Sequence, residues 1–417
     1  MSEIRDYVMA EPLFDNHEHQ HGFSGVEDCA DEATYRLLTG YADADLVTAA
    51  GPGGISGGVE KLTDGEFFEL WASVRTTGYG QATELACRTI LDTDFTLENA
   101  SQITRLLREF MDERSPRQVY DDLLEAAGIR WTVNDPCWDC PTSLAAFTGE
   151  NHPPGFGQAL RYDGILVVSS REGVRNFGQA LQADINGLDE LNRALDDYTQ
   201  KAQEAGKLAA MKCGLPYLRD LSFENSSHAE AERAFEALMQ GRQAELRPVH
   251  DYLFHRFVAR AADFGLPVQM HTGYLAGNYG SLPQGDPAAL IPILQRYRAV
   301  RFDLFHAGWP FSEVTAAIGK EFPNVWLDLC WAWSMSPRHM ERTLDEWLAT
   351  VPHNKLFAFG GDTGLPFNTV GYAQQARRGV ANVLERKVES SEYDVPTARR
   401  VAQRIMHQNA QEFYGME

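Results

Sequence analysis

The run DNHEHQH at residues 15–21 is the stretch of this sequence best equipped for chemistry. On an extended strand side chains alternate, so Asp15, His17 and His19 are expected on one face and Asn16 and Glu18 on the other. Two imidazoles spaced in this way can reach one cation at about 2.0 to 2.1 Å, the usual zinc to nitrogen distance. Taken alone, such a triplet fits surface histidines as well as a metal, so its meaning depends on what else is brought beside it. His21 comes next in the run and could be third in line for a cation, make a substrate contact or hydrogen-bond a covering segment. A second pattern, the CxxC of Cys137 and Cys140, has no matching pair elsewhere in the chain. Structural zinc sites use four ligands, so this pair reads as a turn at a strand end.

The elements that must position these residues are short apolar runs ending in polar or ionisable residues. Eight recur: EPLFDNHEH (11–19), IRWTVND (129–135), YDGILVVSS (162–170), KLAAMKCG (207–214), LPVQMHTG (266–273), VRFDLFHAG (300–308), NVWLDLCWAW (324–333) and KLFAFGGD (355–362). Between most of them lie helical patterns closed by a glycine, such as LDELNRALDDYTQKAQEAG and VHDYLFHRFVARAADFG. Strands alternating with helices imply parallel βαβ units, and eight of them imply an α/β fold closed as a (β/α)8 TIM barrel. The barrel is expected from residues 1–21 and 129–417. Residues 22–128 are too long for one connection and read as a large helical insertion after strand 1, a lid over the active-site face.

In a barrel the C-terminal ends of all strands surround one pocket. Lys212, His271, His306 and Asp362 end the fourth, fifth, sixth and eighth candidates, and so are expected to join His17 and His19 there. Neutral imidazoles with one carboxylate leave a coordination position open, and a zinc ion so held lowers the pKa of its water to about 7. Asp362 can then take that proton and pass it to a leaving group. Trp309, Trp331 and Trp333 crowd the same mouth and suit either packing or a substrate ring. Tyr217 and Arg219 follow Lys212, where Arg219 could fork to a substrate carboxylate or pair with a nearby acid such as Asp220.

This constellation resembles the amidohydrolase superfamily: HxH after strand one, lysine after strand four, histidines after strands five and six, aspartate after strand eight. The likeness is carried by MHTGY around His271, FHAGWPF around His306, and FGGDTGLPFN followed by a helix ending in HQNAQEFY. It points to the branch known as amidohydrolase 2, with lactonases and decarboxylases, and the long insertion after strand one looks like that of uronate isomerases. The resemblance implies that His17, His19, His271 and Asp362 hold a divalent ion, most simply zinc, and that His306 contacts the water or substrate. In binuclear relatives the lysine matching Lys212 is carboxylated and bridges two metals. A metal-dependent hydrolase of a small-molecule lactone, amide or ester-like bond is the expected activity. The alternatives are a decarboxylase, a uronate-type isomerase, or a metal-stabilised binding protein without turnover.

Composition sets the outer bounds. With 44% hydrophobic and 23% charged residues in 417, the chain can bury a sizeable core. Its 59 acidic against 37 basic residues leave a net charge of −22, which disfavours nucleic acid and anionic membranes as partners. The opening MSEIRDYVMAEPLFDNHEHQ has no basic region followed by a long apolar run, so a cytoplasmic location is expected, with all six cysteines reduced. A homo-oligomer is compatible with all of this.

Overall fold

The computed structural model describes residues 2–30, 32–136 and 143–416. Its eight strands are β1 (Leu13–Glu18), β2 (Ile129–Asn134), β3 (Phe156–Arg161), β4 (Leu208–Cys213), β5 (Val268–Met270), β6 (Phe302–Leu304), β7 (Val325–Asp328) and β8 (Leu356–Phe357). Each pairs in parallel with the next, in the order β1 to β8. The ring closes just beyond β8. Asn16 N–H donates to Phe359 O at 3.1 Å, Asp362 N–H to His17 O at 2.8 Å, and His19 N–H to Thr363 O at 3.0 Å. The closing rungs are therefore the bonds that set Asp362 beside His17 and His19. This is the (β/α)8 barrel that the strand and helix alternation implies.

The third strand differs from expectation. YDGILVVSS begins instead as a short helix, Asp163–Leu166, and β3 is formed by FGQALR just before it. The apolar run mimics a buried strand, whereas β3 carries Gln158 and Arg161. Both are buried, Gln158 Oε1 accepting from Asn134 Nδ2 at 3.2 Å. Inside a barrel, polar side chains bond to those of neighbouring strands, so hydropathy alone misplaces such a strand. The alternation expected along β1 also fails locally. Its register against β2 shifts between Asp15 and Glu18, and burial together with the neighbouring Asp15 carboxyl raises the pKa of Glu18. Cys137 and Cys140 lie outside the described residues.

Between β1 and β2 run the helices Gly22–Ala30, Ala42–Ala49, Asp64–Val74, Gly78–Leu91, Ala100–Asp112 and Pro116–Ala127. Thr63 and Glu66 form a reciprocal cap at the start of Asp64–Val74, and Ser115 and Gln118 do the same for Pro116–Ala127. Tyr35, Phe67, Trp71 and Phe95 make an aromatic cluster within the segment that is continuous with the main core. The helix Gly78–Leu91 lies along Pro366–Glu389, the long helix after β8. Gly371 makes that approach possible, because a Cβ there would sit 2.1 Å from Ala82 O. Among the described residues no helix is long and apolar enough to cross a membrane, and Cys29, Cys87, Cys213 and Cys330 are free thiols.

Candidate metal centre

The strand ends bring the predicted cluster together. Asp362 Oδ1 lies 3.1 Å from His19 Nε2 and 3.5 Å from His17 Nε2, while Oδ2 lies 3.7 Å from His306 Nε2. His306 Nε2 is in turn 3.0 Å from His271 Nδ1, and Lys212 Nζ is 3.3 Å from His17 Nε2. All six side chains are buried. The backbone is strained where it presents three of the surrounding groups. His306, Trp331 and Asp362 have φ of 63°, 59° and 58°, left-handed values that cost about 1 to 3 kcal/mol each and persist only where the surroundings fix them. Gly361, before Asp362, could not carry a side chain: a Cβ would meet Glu18 Oε1 at 2.1 Å.

The hydrogen bonds on the outer edges of the rings fix their tautomers. His19 Nδ1 faces Asp135 O at 2.9 Å, His306 Nδ1 faces Cys330 O at 3.1 Å, and His271 Nε2 faces Tyr274 O at 2.8 Å. A carbonyl only accepts, so each of these nitrogens carries the proton and the other nitrogen of each ring turns a lone pair inward. Those lone pairs confront one another and the Asp362 carboxylate across about 3 to 4 Å, an arrangement that needs a positive charge in its midst. Protonating the rings is a poor way to supply it. Burial, with cations such as Lys212 nearby, holds His17 and His271 well below the ordinary histidine value and His306 down at about 4. Asp362 is held below the ordinary carboxylate value in spite of its burial, with the Lys212 ammonium nearby favouring its ionised form. Neutral imidazoles whose outer N–H is held by a carbonyl, around an ionised carboxylate, are the donor set of a divalent metal ion.

Lys212 sits with its ammonium 3.9 Å above the Phe305 ring, and burial lowers its pKa. Tyr217 belongs to the neighbourhood: its ring meets His271 edge-on at 4.8 Å and its hydroxyl accepts from Ala276 N–H at 3.0 Å. Trp331 packs edge-on against His306 at 5.2 Å, and Trp309 lies one ring further out, 5.2 Å from Tyr274. Trp333 is a packing residue, its indole N–H donating to Ala358 O at 2.8 Å. Arg219 and His21 are the other two predicted contacts. Arg219 is ion-paired with Asp251 at 2.8 Å and also bonds Ser222 O, and the His21 side chain is exposed.

Further residues join the centre. Asp135 offers a ligand atom within 4.8 Å of those of His17 and His19, and Cys330 does so for His306 and Asp362. Asp135 shares the signal that marks the others, an ionisable residue ending a strand in IRWTVND. Arg161 binds it at 3.0 Å and Asp163 at 2.6 Å. Tyr41 and Tyr79, from the segment between β1 and β2, reach Trp331 with ring separations of 4.8 and 6.3 Å. Nothing in their local sequence marks them.

A parallel barrel with a buried His and Asp metal centre at its strand ends is the architecture of a metal-dependent enzyme. The chain belongs to the amidohydrolase family, whose Amidohydro_2 model matches residues 169–416. That match covers β4 to β8 and leaves the HxH of β1 to the geometry described above. Protein fluG of Emericella nidulans is 26% identical over 201 residues, 47% of this chain but 23% of that protein, so the chain spans under a quarter of that relative's length. Among solved structures, a uronate isomerase from Thermotoga maritima superposes with TM-score 0.79 at 16% identity, over 99% of this chain and 96% of its own. A glucuronate isomerase from Caulobacter crescentus gives 0.77 at 18% identity, over 99% and 93%. A Lactobacillus casei protein provisionally assigned as a metal-dependent hydrolase gives 0.70 at 15% identity, over 100% and 98%. At such identities these likenesses concern the fold.

Proposed function

We propose that this chain is a metal-dependent hydrolase that opens a lactone, amide or ester-like bond of a small molecule. The observation that carries the reading is the set of inward lone pairs of His19, His271 and His306 meeting the ionised Asp362. His17, His19, His271 and Asp362 would hold the ion, which we take to be zinc. Lys212 would join them only if carboxylated, since a protonated ammonium has no lone pair to give. The bound ion supplies Lewis-acid polarisation and a water of lowered pKa. Asp362 is placed to handle the proton: one carboxylate oxygen faces His17 and His19, and the other faces His306. That split lets it accept a proton from the attacking water and return it to the leaving group. His306, neutral and with Nδ1–H held by Cys330 O, turns Nε2 inward as an acceptor and would take a hydrogen bond from the attacking water or from a substrate O–H or N–H. Tyr217, Trp309 and Trp331 border the substrate. The barrel's likeness to uronate isomerases keeps an isomerase as the second reading, and a decarboxylase would use the same residues.

Turnover in ¹⁸O-labelled water, with elemental analysis of the purified chain, tests the proposal. Hydrolysis places solvent oxygen in the product, and chelation removes both metal and activity. Product without solvent oxygen points to the isomerase or decarboxylase, and a chain without a stoichiometric divalent ion sinks all three.

A further inference from the structure

The centre is closed to solvent. His17, His19, Lys212, His271, His306 and Asp362 are 0 to 7% exposed, so a substrate reaches them only if part of the surrounding chain moves. The chain that follows β5 is shaped for such movement. Residues 274–284 leave and rejoin the barrel mouth at one point, where Gly273 N–H donates to Gly285 O at 2.7 Å. Neither glycine could carry a side chain there, since a Cβ on Gly285 would meet Gly273 O at 2.1 Å and one on Gly273 would meet Trp309 O at 2.4 Å. A surface loop with its ends joined in this way is an Ω-loop. Its inner part, Tyr274, Leu275 and Ala276, is buried or half-buried, and residues 277–283 are exposed.

The loop is fastened at three points. His271 Nε2–H donates to Tyr274 O at 2.8 Å, and Ala276 N–H donates to Tyr217 Oη at 3.0 Å. Beyond the bend at Gly277, Asn278 Nδ2 donates to Ala44 O and Thr48 Oγ1, at 3.1 Å each, on the helix Ala42–Ala49. The first point touches the centre itself. A proton held on Nε2 by Tyr274 O leaves Nδ1 of His271 as the lone pair that faces His306 Nε2 at 3.0 Å. The last point lies at the surface, where water replaces a lost partner and opening costs least. Between them the Tyr274 ring stands 5.2 Å from Trp309 and 5.8 Å from Trp331. With the helices between β1 and β2, this loop makes the cover of the centre.

We propose that residues 274–284 are a flap over the metal centre, that Asn278 latches it to the helix Ala42–Ala49, and that its closure positions His271 by setting Tyr274 O against Nε2–H. Asn278 is a positioning residue, acting through the loop on a side chain it does not touch. The inference rests on the metal centre that the hydrolase reading requires. When the flap lifts, His271 loses the acceptor that fixes its tautomer, so opening loosens the hold on the ion. By linkage, the ion in turn holds the flap shut.

Hydrogen exchange of the full chain, with and without one equivalent of Zn²⁺, tests this together with the rate at which dipicolinate strips zinc from the loaded chain. Zinc should slow exchange across residues 274–278. Asn278→Ala removes both latch bonds, which at the surface count together as about one net hydrogen bond, so loop exchange and zinc release should each quicken about fivefold. Thr48→Val removes one acceptor and should quicken both about twofold. Melting temperature and the exchange of β1 should hold in both variants. The flap is overturned if Asn278→Ala leaves exchange at 274–278 unchanged. The positioning of His271 is overturned if loop exchange quickens while zinc release keeps its original rate, or if zinc leaves loop exchange unaltered. A chain that takes up no zinc removes the hydrolase reading and the role of His271, and loop exchange in Asn278→Ala then decides the flap by itself. A chain that holds zinc while its loop ignores Asn278 keeps the hydrolase and removes the flap.

Discussion

The centre and the cover of this site are built by different physics. The centre hangs on backbone: Asp362 N–H bonds His17 O, His19 N–H bonds Thr363 O, and the left-handed turns at His306 and Asp362 are held within the ring of strands. The cover hangs on side chains. The helices between β1 and β2 carry an aromatic cluster around Phe67 that is continuous with the main core, one of them, Gly78–Leu91, packs along Pro366–Glu389, and they meet the β5 loop through Asn278 Nδ2, which donates to Ala44 O and Thr48 Oγ1 at 3.1 Å each. A centre fixed by backbone rungs tolerates little motion, whereas helices joined to the barrel by side-chain packing are expected to open at lower free energy. The chemistry is therefore expected to fail when a centre residue changes, and binding or access to fail when a cover residue does.

The sharpest way to break that division is Asp362→Asn. It removes the proton acceptor while keeping the shape, and turnover should fall by about 10² to 10⁴ with the melting temperature nearly unchanged. Near-normal turnover, measured at saturating substrate, would place the proton transfer elsewhere. Phe67→Ala attacks the other region. Phe67 is fully buried beneath Arg36 and beside Tyr35 and Trp71, so truncation should cost about 3 to 5 kcal/mol within the segment. Hydrogen exchange should then quicken across residues 64–91 while β1 and the turn at Asp362 stay protected and metal content holds. Equal loss of protection in both regions would show that they open together.

That division also decides what the sequence discloses. Strand ends are legible because a barrel gathers them whatever their separation in the chain, so His17, His19, Lys212, His271, His306 and Asp362 announce a centre. Asp135 obeys the same rule. β3 hides because the barrel interior is polar there, and Gln158 and Arg161 break the apolar pattern that marks a strand. β1 slips register between Asp15 and Glu18, which strict alternation cannot anticipate. The helices Asp64–Val74, Gly78–Leu91 and Ala100–Asp112 follow from periodicity, but Tyr41 and Tyr79 do not. Which face of an inserted helix looks down on a distant strand end is settled by packing between segments, as at Gly371 against Ala82, and no local pattern records it.

Beneath the centre, a change at the barrel floor tests how far the rigidity of the ring extends. Tyr414, near the chain's end, donates its hydroxyl to the Asp303 carboxylate on β6. Gln269 Nε2 binds that hydroxyl at 2.9 Å and Asn16 O at 2.8 Å. Burial pushes Asp303 up to about 8, with the Tyr414 bond opposing the rise. The folded chain thus keeps a proton that the unfolded chain has lost, so this group lowers stability as pH climbs from about 4 to about 8 and then levels off. Tyr414→Phe should cost about 1 kcal/mol at pH 6, where Asp303 is protonated and the lost bond is neutral. At pH 9 the carboxylate is ionised and the same change should cost about 2 kcal/mol, because a bond to a charged acceptor is stronger. Urea unfolding at the two pH values reads the difference. A cost that is equal at both, or smaller at pH 9, would mean that the Tyr414 hydroxyl does not serve the ionised form of Asp303, and that the floor of the barrel is held by packing alone.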